Sequence, residues 1–200
     1  MNACILLATL KKEGVSNTEV LSGFLARRLE QRDIRTEVIK LAQHHISPGT
    51  YTDMGEGDEW PQIYQKLCAA DIVIFATPVW WGTHSSLLQL AIERLDEVHD
   101  KILKGESSEL YDKALGIVVT GGSDGAEHII GNIANFANSV GMVFPPYATL
   151  TVLWEGHEKG ADTSAVELLK KYEKDYAKTA DTMADELLKY ARGAPVSTSA

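Results

Sequence analysis

The stretch "DIVIFATPVWWG" (Asp71–Gly82) decides the fold. Its five residues Ile72–Ala76 are apolar without a break. An amphipathic helix or a half-exposed strand would interrupt such a run with polar residues, so the pattern predicts a strand buried on both faces. Ala3–Ala8 and Ala114–Val119 read the same way. Arg35–Leu41 and Tyr147–Leu153 instead alternate polar and apolar residues, as edge strands do. Helical stripes separate these runs: Leu21–Leu29, Ile63 with Leu67, Leu87–Leu95, Ile129–Ala137 closed by Gly141, and a long last helix over Val166–Leu187. Strand and helix thus alternate five times. This predicts a doubly wound α/β sheet of five parallel strands in the order 2-1-3-4-5, with helices on both faces. A single domain is expected over residues 1–192. Gln43–Glu59, rich in Gly and Asp, reads as an insertion, and Gly193–Ala200 as a disordered tail.

In such a sheet the ligand crevice opens at the carboxyl ends of the strands where the winding reverses. Three loops end there. The first, "TLKKEGVSNT" (Thr9–Thr18), offers the hydroxyls of Thr9, Ser16 and Thr18, the Asn17 amide and the Lys11 charge at a helix N-terminus, a plausible phosphate cradle. Ser16 with Glu19 also forms a capping-box pattern. The second loop begins at Thr77. Pro78 stiffens its turn, Val79 continues the apolar run, and Trp80 and Trp81 supply rings able to stack on a flat ligand before Gly82. The third, Thr120–Gly125, has Gly121, Gly122 and Gly125 for close backbone approach and Ser123 as a further donor. A phosphate end, an aromatic platform and an amide-lined edge together match flavin mononucleotide (FMN) in shape and polarity. Neither a Walker A loop nor a GxGxxG fingerprint is present.

Composition narrows the class. With a net charge of −9 and no basic stripe, the chain is a poor nucleic-acid binder. No apolar run approaches the roughly 18 residues of a membrane span, and the start lacks the basic region of a signal peptide. Cys4 and Cys68 lie far apart in apolar runs and read as buried thiols of a reducing compartment. A cytoplasmic protein is expected. His44, His45, Asp53 and Glu56 match no established metal spacing, so no metal is expected.

The loops resemble those of the flavodoxin-like NAD(P)H-dependent FMN reductases and quinone reductases. The family's G-S-P-R and G-N-T stand here as Ala8-Thr9-Leu10-Lys11 and Ser16-Asn17-Thr18. Its S-P-V-Y-W-G is Thr77-Pro78-Val79-Trp80-Trp81-Gly82, its F-I-D-R is Ala91-Ile92-Glu93-Arg94, and its T-G-G is Thr120-Gly121-Gly122. The resemblance implies FMN as cofactor and NADPH or NADH as co-substrate. Thr9, Lys11, Ser16, Asn17 and Thr18 would hold the phosphate. Pro78–Gly82 would cover the ring, and Thr120–Ser123 with Gly125 would donate near N1 and O2. The implied reaction passes electrons to a quinone, free flavin or similar small acceptor. The first loop departs from the pattern at Ala8, Leu10 and Lys11. Residues 43–59 contain no cysteine, which rejects the iron–sulfur centre of some relatives.

His84 and His128 follow the second and third loops and are candidate proton donors. Two rivals stand beside the reductase: a flavodoxin-type electron carrier and a non-enzymatic binding protein. Carriers are very acidic around the flavin, whereas Lys11, Lys12 and Arg94 are expected near this crevice. The paired tryptophans and the helix at Leu87–Val98 suggest a homodimer or homotetramer.

Overall fold

The structure is a computed structural model that describes residues 1–158 and 160–193. Apart from Gly193, the expected tail lies outside the described residues. The elements run β1 (Asn2–Leu7), α1 (Asn17–Glu30), β2 (Arg35–Lys40), α2 (Trp60–Ala69), β3 (Ile72–Pro78), α3 (Ser86–Glu93) and α4 (Asp96–Leu103). They continue with β4 (Ala114–Gly121), α5 (Ala126–Ser139), β5 (Thr149–Leu153), α6 (Ala165–Asp175) and α7 (Ala177–Ala191). The five strands are parallel and ordered β2-β1-β3-β4-β5, the flavodoxin-like arrangement expected from the sequence.

Two apolar cores follow from the two-residue period of the strands. Ile5, Ile72, Ile74 and Val118 face α1, α6 and α7, where they meet Leu21, Phe24, Leu25, Leu168, Tyr172 and Met183. Leu6, Val73, Phe75 and Ile117 face the other side and meet Trp60, Leu67, Leu88, Leu95 and Ile133. Each fully buried Leu, Ile or Phe contributes about 1.5–3 kcal/mol, so these strands stabilise the fold from both faces. Gly116 lets α7 approach: a Cβ there would stand 2.8 Å from Met183 Cε and 2.9 Å from Ile74 Cγ1.

Several elements differ from the sequence reading. The long last helix is two helices broken at Tyr176 (φ −124°), and Val166 is exposed. The Leu87–Leu95 stripe likewise belongs to a helix that ends at Glu93, with α4 starting at Asp96. Strand β5 starts at Thr149, because Tyr147 sits in a left-handed conformation (φ 58°). Cys4 is buried, which pushes its thiol pKa up to about 12, while Cys68 is only partly buried.

Arg94 differs most. It lies at the far end of α3, nine residues beyond the second loop, or about 13 Å at 1.5 Å per residue. There it is fully buried and organises residues 47–58. Its guanidinium donates to the carbonyls of Ser47 (2.8 Å), Tyr51 (2.8 Å) and Thr52 (3.1 Å) and to both Asp58 oxygens (3.0 and 2.6 Å). It also stands over the Trp60 ring at 5.7 Å. Burial alone would raise the Asp58 pKa. The Arg94 bonds and the amides of Met54, Ser47 and Trp60 outweigh it and hold the carboxyl well below the usual range.

Removing one partner of a fully buried pair leaves the other charge uncompensated. Arg94→Met is therefore expected to lower unfolding free energy by about 3–5 kcal/mol in urea titration; a loss under about 1 kcal/mol would refute the clasp. Because the folded Asp58 pKa is depressed, its contribution is complete above the unfolded value near 3.9 and is lost only as pH falls through the lower folded value.

Candidate functional site

A cavity of about 520 Å³ opens at the carboxyl edge of the sheet. Loop 1 (Thr9–Ser16) forms one end with the first turn of α1. Ser16 caps that helix: its Oγ accepts the Glu19 amide (3.3 Å) and donates to Thr9 Oγ1 (2.9 Å). Only half of the expected capping box forms, because the Glu19 carboxylate pairs with buried Lys40 at 2.8 Å. Thr18 Oγ1 meets Thr120 Oγ1 at 2.7 Å and joins α1 to the end of β4. Among the described residues, no amide from Leu10 to Ser16 except that of Lys11 donates a hydrogen bond. The first amides of α1 have no intrahelical acceptor either. This end is therefore rich in uncommitted donors, with Lys11 beside it; the Lys11 ammonium rests on the Val15 carbonyl at 2.7 Å.

Loop 2 leaves β3 and is fixed from beneath. Thr77 Oγ1 accepts the Ser85 amide (3.0 Å), while Ser85 Oγ donates to the Ala8 carbonyl (2.6 Å) at the end of β1. The Val79 amide donates to Thr120 O (2.8 Å). Trp80 and Thr83 exchange two backbone hydrogen bonds of 2.8 and 2.9 Å around Trp81 and Gly82. Both central residues have positive φ (51° and 73°), as in a type I′ turn. The two tryptophans consequently part. Trp80 lines the cavity, while Trp81 stands at the turn tip and is 100% exposed. A bulky residue in the left-handed region costs about 1–2 kcal/mol, and no packing among the described residues offsets it at Trp81.

Loop 3 reaches the same place. Gly121 and Gly122 line the cavity, but Gly125 and Ser123 do not. Gly125 serves loop packing: at φ 98°, a Cβ there would lie 2.9 Å from Gly82 Cα. Thr77, Trp81 and Gly82 also lie outside the lining, whereas Thr9, Lys11, Ser16–Thr18, Pro78, Val79 and Thr120 are within it.

Both histidines expected to donate protons lie outside the cavity lining. His84 is buried, and its ring nitrogens meet Thr83 Oγ1 (3.1 Å) and Gln89 Oε1 (2.9 Å). Burial pushes its pKa down, against the Gln89 bond. His128 is exposed on α5.

A fourth loop, Glu155–Thr163, was not anticipated. It follows β5 and closes the cavity with Gly156, His157, Glu158 and Asp162. Trp154 organises it. Its indole covers Gly156, where a Cβ would fall 2.4 Å from the ring, and meets His157 edge-on at 5.6 Å. His157 Nε2 bonds Tyr172 Oη (2.9 Å), and the His157 carbonyl accepts Asn17 Nδ2 (3.1 Å). The Asn17 amide, which lines the cavity, thus uses one of its two N–H donors to tie loop 4 to α1. Burial lowers the His157 pKa. Among the described residues its Nδ1 has no hydrogen-bond partner, although the backbone of Val152 and Gly121 offsets part of that lowering. The signals in the sequence were Gly156, Gly160 and the Ser164–Glu167 capping box, which does form at the start of α6.

The sequence matches the family described as NADPH-dependent FMN reductase over residues 1–154, and the chain belongs to that family. It is 31% identical over 160 residues to the 8-demethyl-8-aminoriboflavin-5'-phosphate synthase of Streptomyces davaonensis, covering 74% of this chain and 62% of that protein. It is 28% identical over 153 residues to a protein of Mycobacterium bovis named divalent metal cation transporter MntH, covering 74% of this chain and 22% of that one. The chain thus spans about three fifths of the first of these relatives and about a fifth of the second. No helix among the described residues is long and apolar enough to cross a membrane. Among solved structures, RosB with bound 8-demethyl-8-formylriboflavin-5'-phosphate superposes with a TM-score of 0.79 at 26% identity, over 96% of this chain and 79% of that one.

The Thr18–Thr120 hydroxyl pair is buried between the two halves of the cavity floor. Thr18→Val, which strands one hydroxyl, is expected to cost about 1–3 kcal/mol in chemical denaturation. The Thr18→Val/Thr120→Val pair should cost less than the sum of the single changes; strict additivity would refute the coupling.

Proposed function

We propose that this chain binds FMN in the four-loop cavity and passes reducing equivalents from NAD(P)H to a quinone, free flavin or similar small acceptor. The observation that carries the reading is the asymmetry of the cavity. Uncommitted amides, hydroxyls and Lys11 gather at the α1 end, while Pro78, Val79 and Trp80 wall the other side. An anionic tail and a flat ring together satisfy both ends, and the helix N-terminus favours the anion. The cavity volume suits a ligand of this size. Family membership supports the same cofactor.

In this reading the loop 1 amides and the α1 N-terminus hold the phosphate. Ser16 and Thr9 act together, since each fixes the other's hydroxyl. Thr18 and Thr120 hold loops 1 and 3 at a set spacing, so the Gly121 and Gly122 backbone can meet a polar ring edge without Cβ atoms in the way. Trp80 presents its ring to the flat ligand. Bound FMN would supply the hydride and electron chemistry. With His84 enclosed and His128 outside the lining, protons are left to solvent at the open mouth.

Trp81 is assigned to a contact between copies of the chain, because a wholly exposed tryptophan in a strained turn gains nothing within one copy. A second reading, FMN as substrate rather than resident cofactor, is favoured by the 31% relation to a flavin-modifying synthase.

Anaerobic mixing of FMN-loaded protein with NADPH and a quinone decides between the readings. The reductase reading expects the flavin absorbance to bleach and return with the extracted flavin mass unchanged. An unbleached spectrum would overturn it, and an altered mass would favour the second reading. Trp80→Ala is expected to weaken FMN binding about tenfold or more, the worth of one stacked ring. Trp81→Ala should leave FMN affinity within about threefold while shifting sedimentation toward monomer. Equal FMN affinities for the wild type and both variants would remove the ring from the proposal.

A further inference from the structure

A second depression, of about 490 Å³, opens beside the first; Asp162 and Thr163 line both. Its floor is Trp154 and its wall is α6, which contributes Lys170, Lys171 and Lys174. These lysines run against the character of the chain, which carries 28 acidic and 19 basic residues. Lys171 is already engaged, pairing with Asp175 at 2.9 Å and standing over the Trp154 ring at 5.2 Å. Lys170 and Lys174 are exposed, and among the described residues neither pairs with a carboxylate. Two carboxylates line the groove with the three lysines: Asp162, where it meets the first cavity, and Glu167, which is spent on the α6 cap, accepting from the Ser164 amide (2.9 Å) and hydroxyl (2.6 Å). Two ammonium groups unpaired among the described residues therefore line a groove adjoining the ring-binding cavity. Trp154 and loop 4 are the partition between the two depressions, which meet at the Asp162–Thr163 turn.

We propose that this groove binds the adenosine-phosphate end of the reduced nicotinamide dinucleotide, and that Lys170 and Lys174 read its 2′-phosphate. The proposal rests on the reductase reading for the ligand's identity. The chemistry comes from the groove. A chain of net charge −9 repels a polyanionic co-substrate at long range, so productive capture needs a local reversal of sign. Here that reversal lies next to the cavity, on a helix whose register is fixed by buried Leu168 and Tyr172. The ammonium groups are point charges without a planar fork, which suits a phosphate better than a neutral ribose hydroxyl. The groove lies almost wholly beyond residue 154, where the match to the family model ends.

The experiment compares FMN-loaded wild type with a Lys170→Gln/Lys174→Gln variant, and with Lys189→Gln on α7 as a control for general charge. Calorimetric titration with adenosine 2′,5′-bisphosphate and with 5′-AMP reads the groove without turnover. The bisphosphate should bind the double variant about tenfold more weakly than wild type, with 5′-AMP changed under about threefold. The KM for NADPH should rise by a similar factor, the KM for NADH much less, and the salt dependence of the NADPH value should flatten. Unchanged bisphosphate affinity, or equal losses for both nucleotides, would overturn the proposal. Should wild type accept electrons from neither nucleotide, the reductase reading fails by itself. The titration still decides the groove: binding lost in the double variant supports a phosphate site, and no binding to wild type refutes it.

Discussion

The site exists because the parallel sheet reverses its winding between two neighbouring strands. β1 and β3 lie side by side, yet the chain leaving β1 turns to α1 on one face and the chain leaving β3 turns to α3 on the other. No short backbone path can close the gap between two loops that diverge in this way. The same divergence recurs between β4, which leads to α5, and β5, which leads to α6 on the α1 face. Loop 4 therefore falls toward loop 1, and the Asn17–His157 contact joins them. Four loops meet around one opening because of strand order, before any side chain is considered.

Side chains then fix the opening at a set width. Ser85 ties loop 2 to the Ala8 carbonyl, Val79 ties loop 2 to loop 3, and Thr18 ties loop 1 to loop 3. Each link is short, and the two side-chain links are buried, so the loops are held before a ligand arrives. Pre-organisation of this kind lowers the ordering cost of binding. The glycines fit the same account. A Cβ at Gly121 would meet the Val79 side chain at 2.9 Å, and one at Gly125 the Gly82 backbone at 2.9 Å. Their first role is loop packing, and access to a ligand is the consequence at Gly121.

Strand order was legible because β1, β3 and β4 are buried on both faces, which leaves uninterrupted apolar runs that no surface element imitates. The three principal loops were legible from that order alone. Side-chain destinations were not. Arg94 looked like a site residue because its motif follows loop 2, but α3 carries it away to a buried ion pair with Asp58. Trp80 and Trp81 are equivalent as letters, and only the type I′ turn sends one inward and the other out. Loop 4 had no periodicity to announce it, since its polar residues are organised by Trp154 and Tyr172 from flanking elements. The break at Tyr176 has neither Pro nor Gly to mark it, so α6 and α7 read as one stripe.

A member of the NADPH-dependent FMN reductase family emerges whose shared part supplies the floor and three walls, and whose later residues supply the fourth wall and the lysine groove. The account turns on the donor-rich α1 end being a phosphate site. Calorimetric titration of the protein with FMN and with riboflavin, which lacks only the phosphate, tests this most directly. The account predicts that FMN binds at least about a hundredfold more tightly, the worth of two charge-assisted hydrogen bonds. Equal affinities would contradict it.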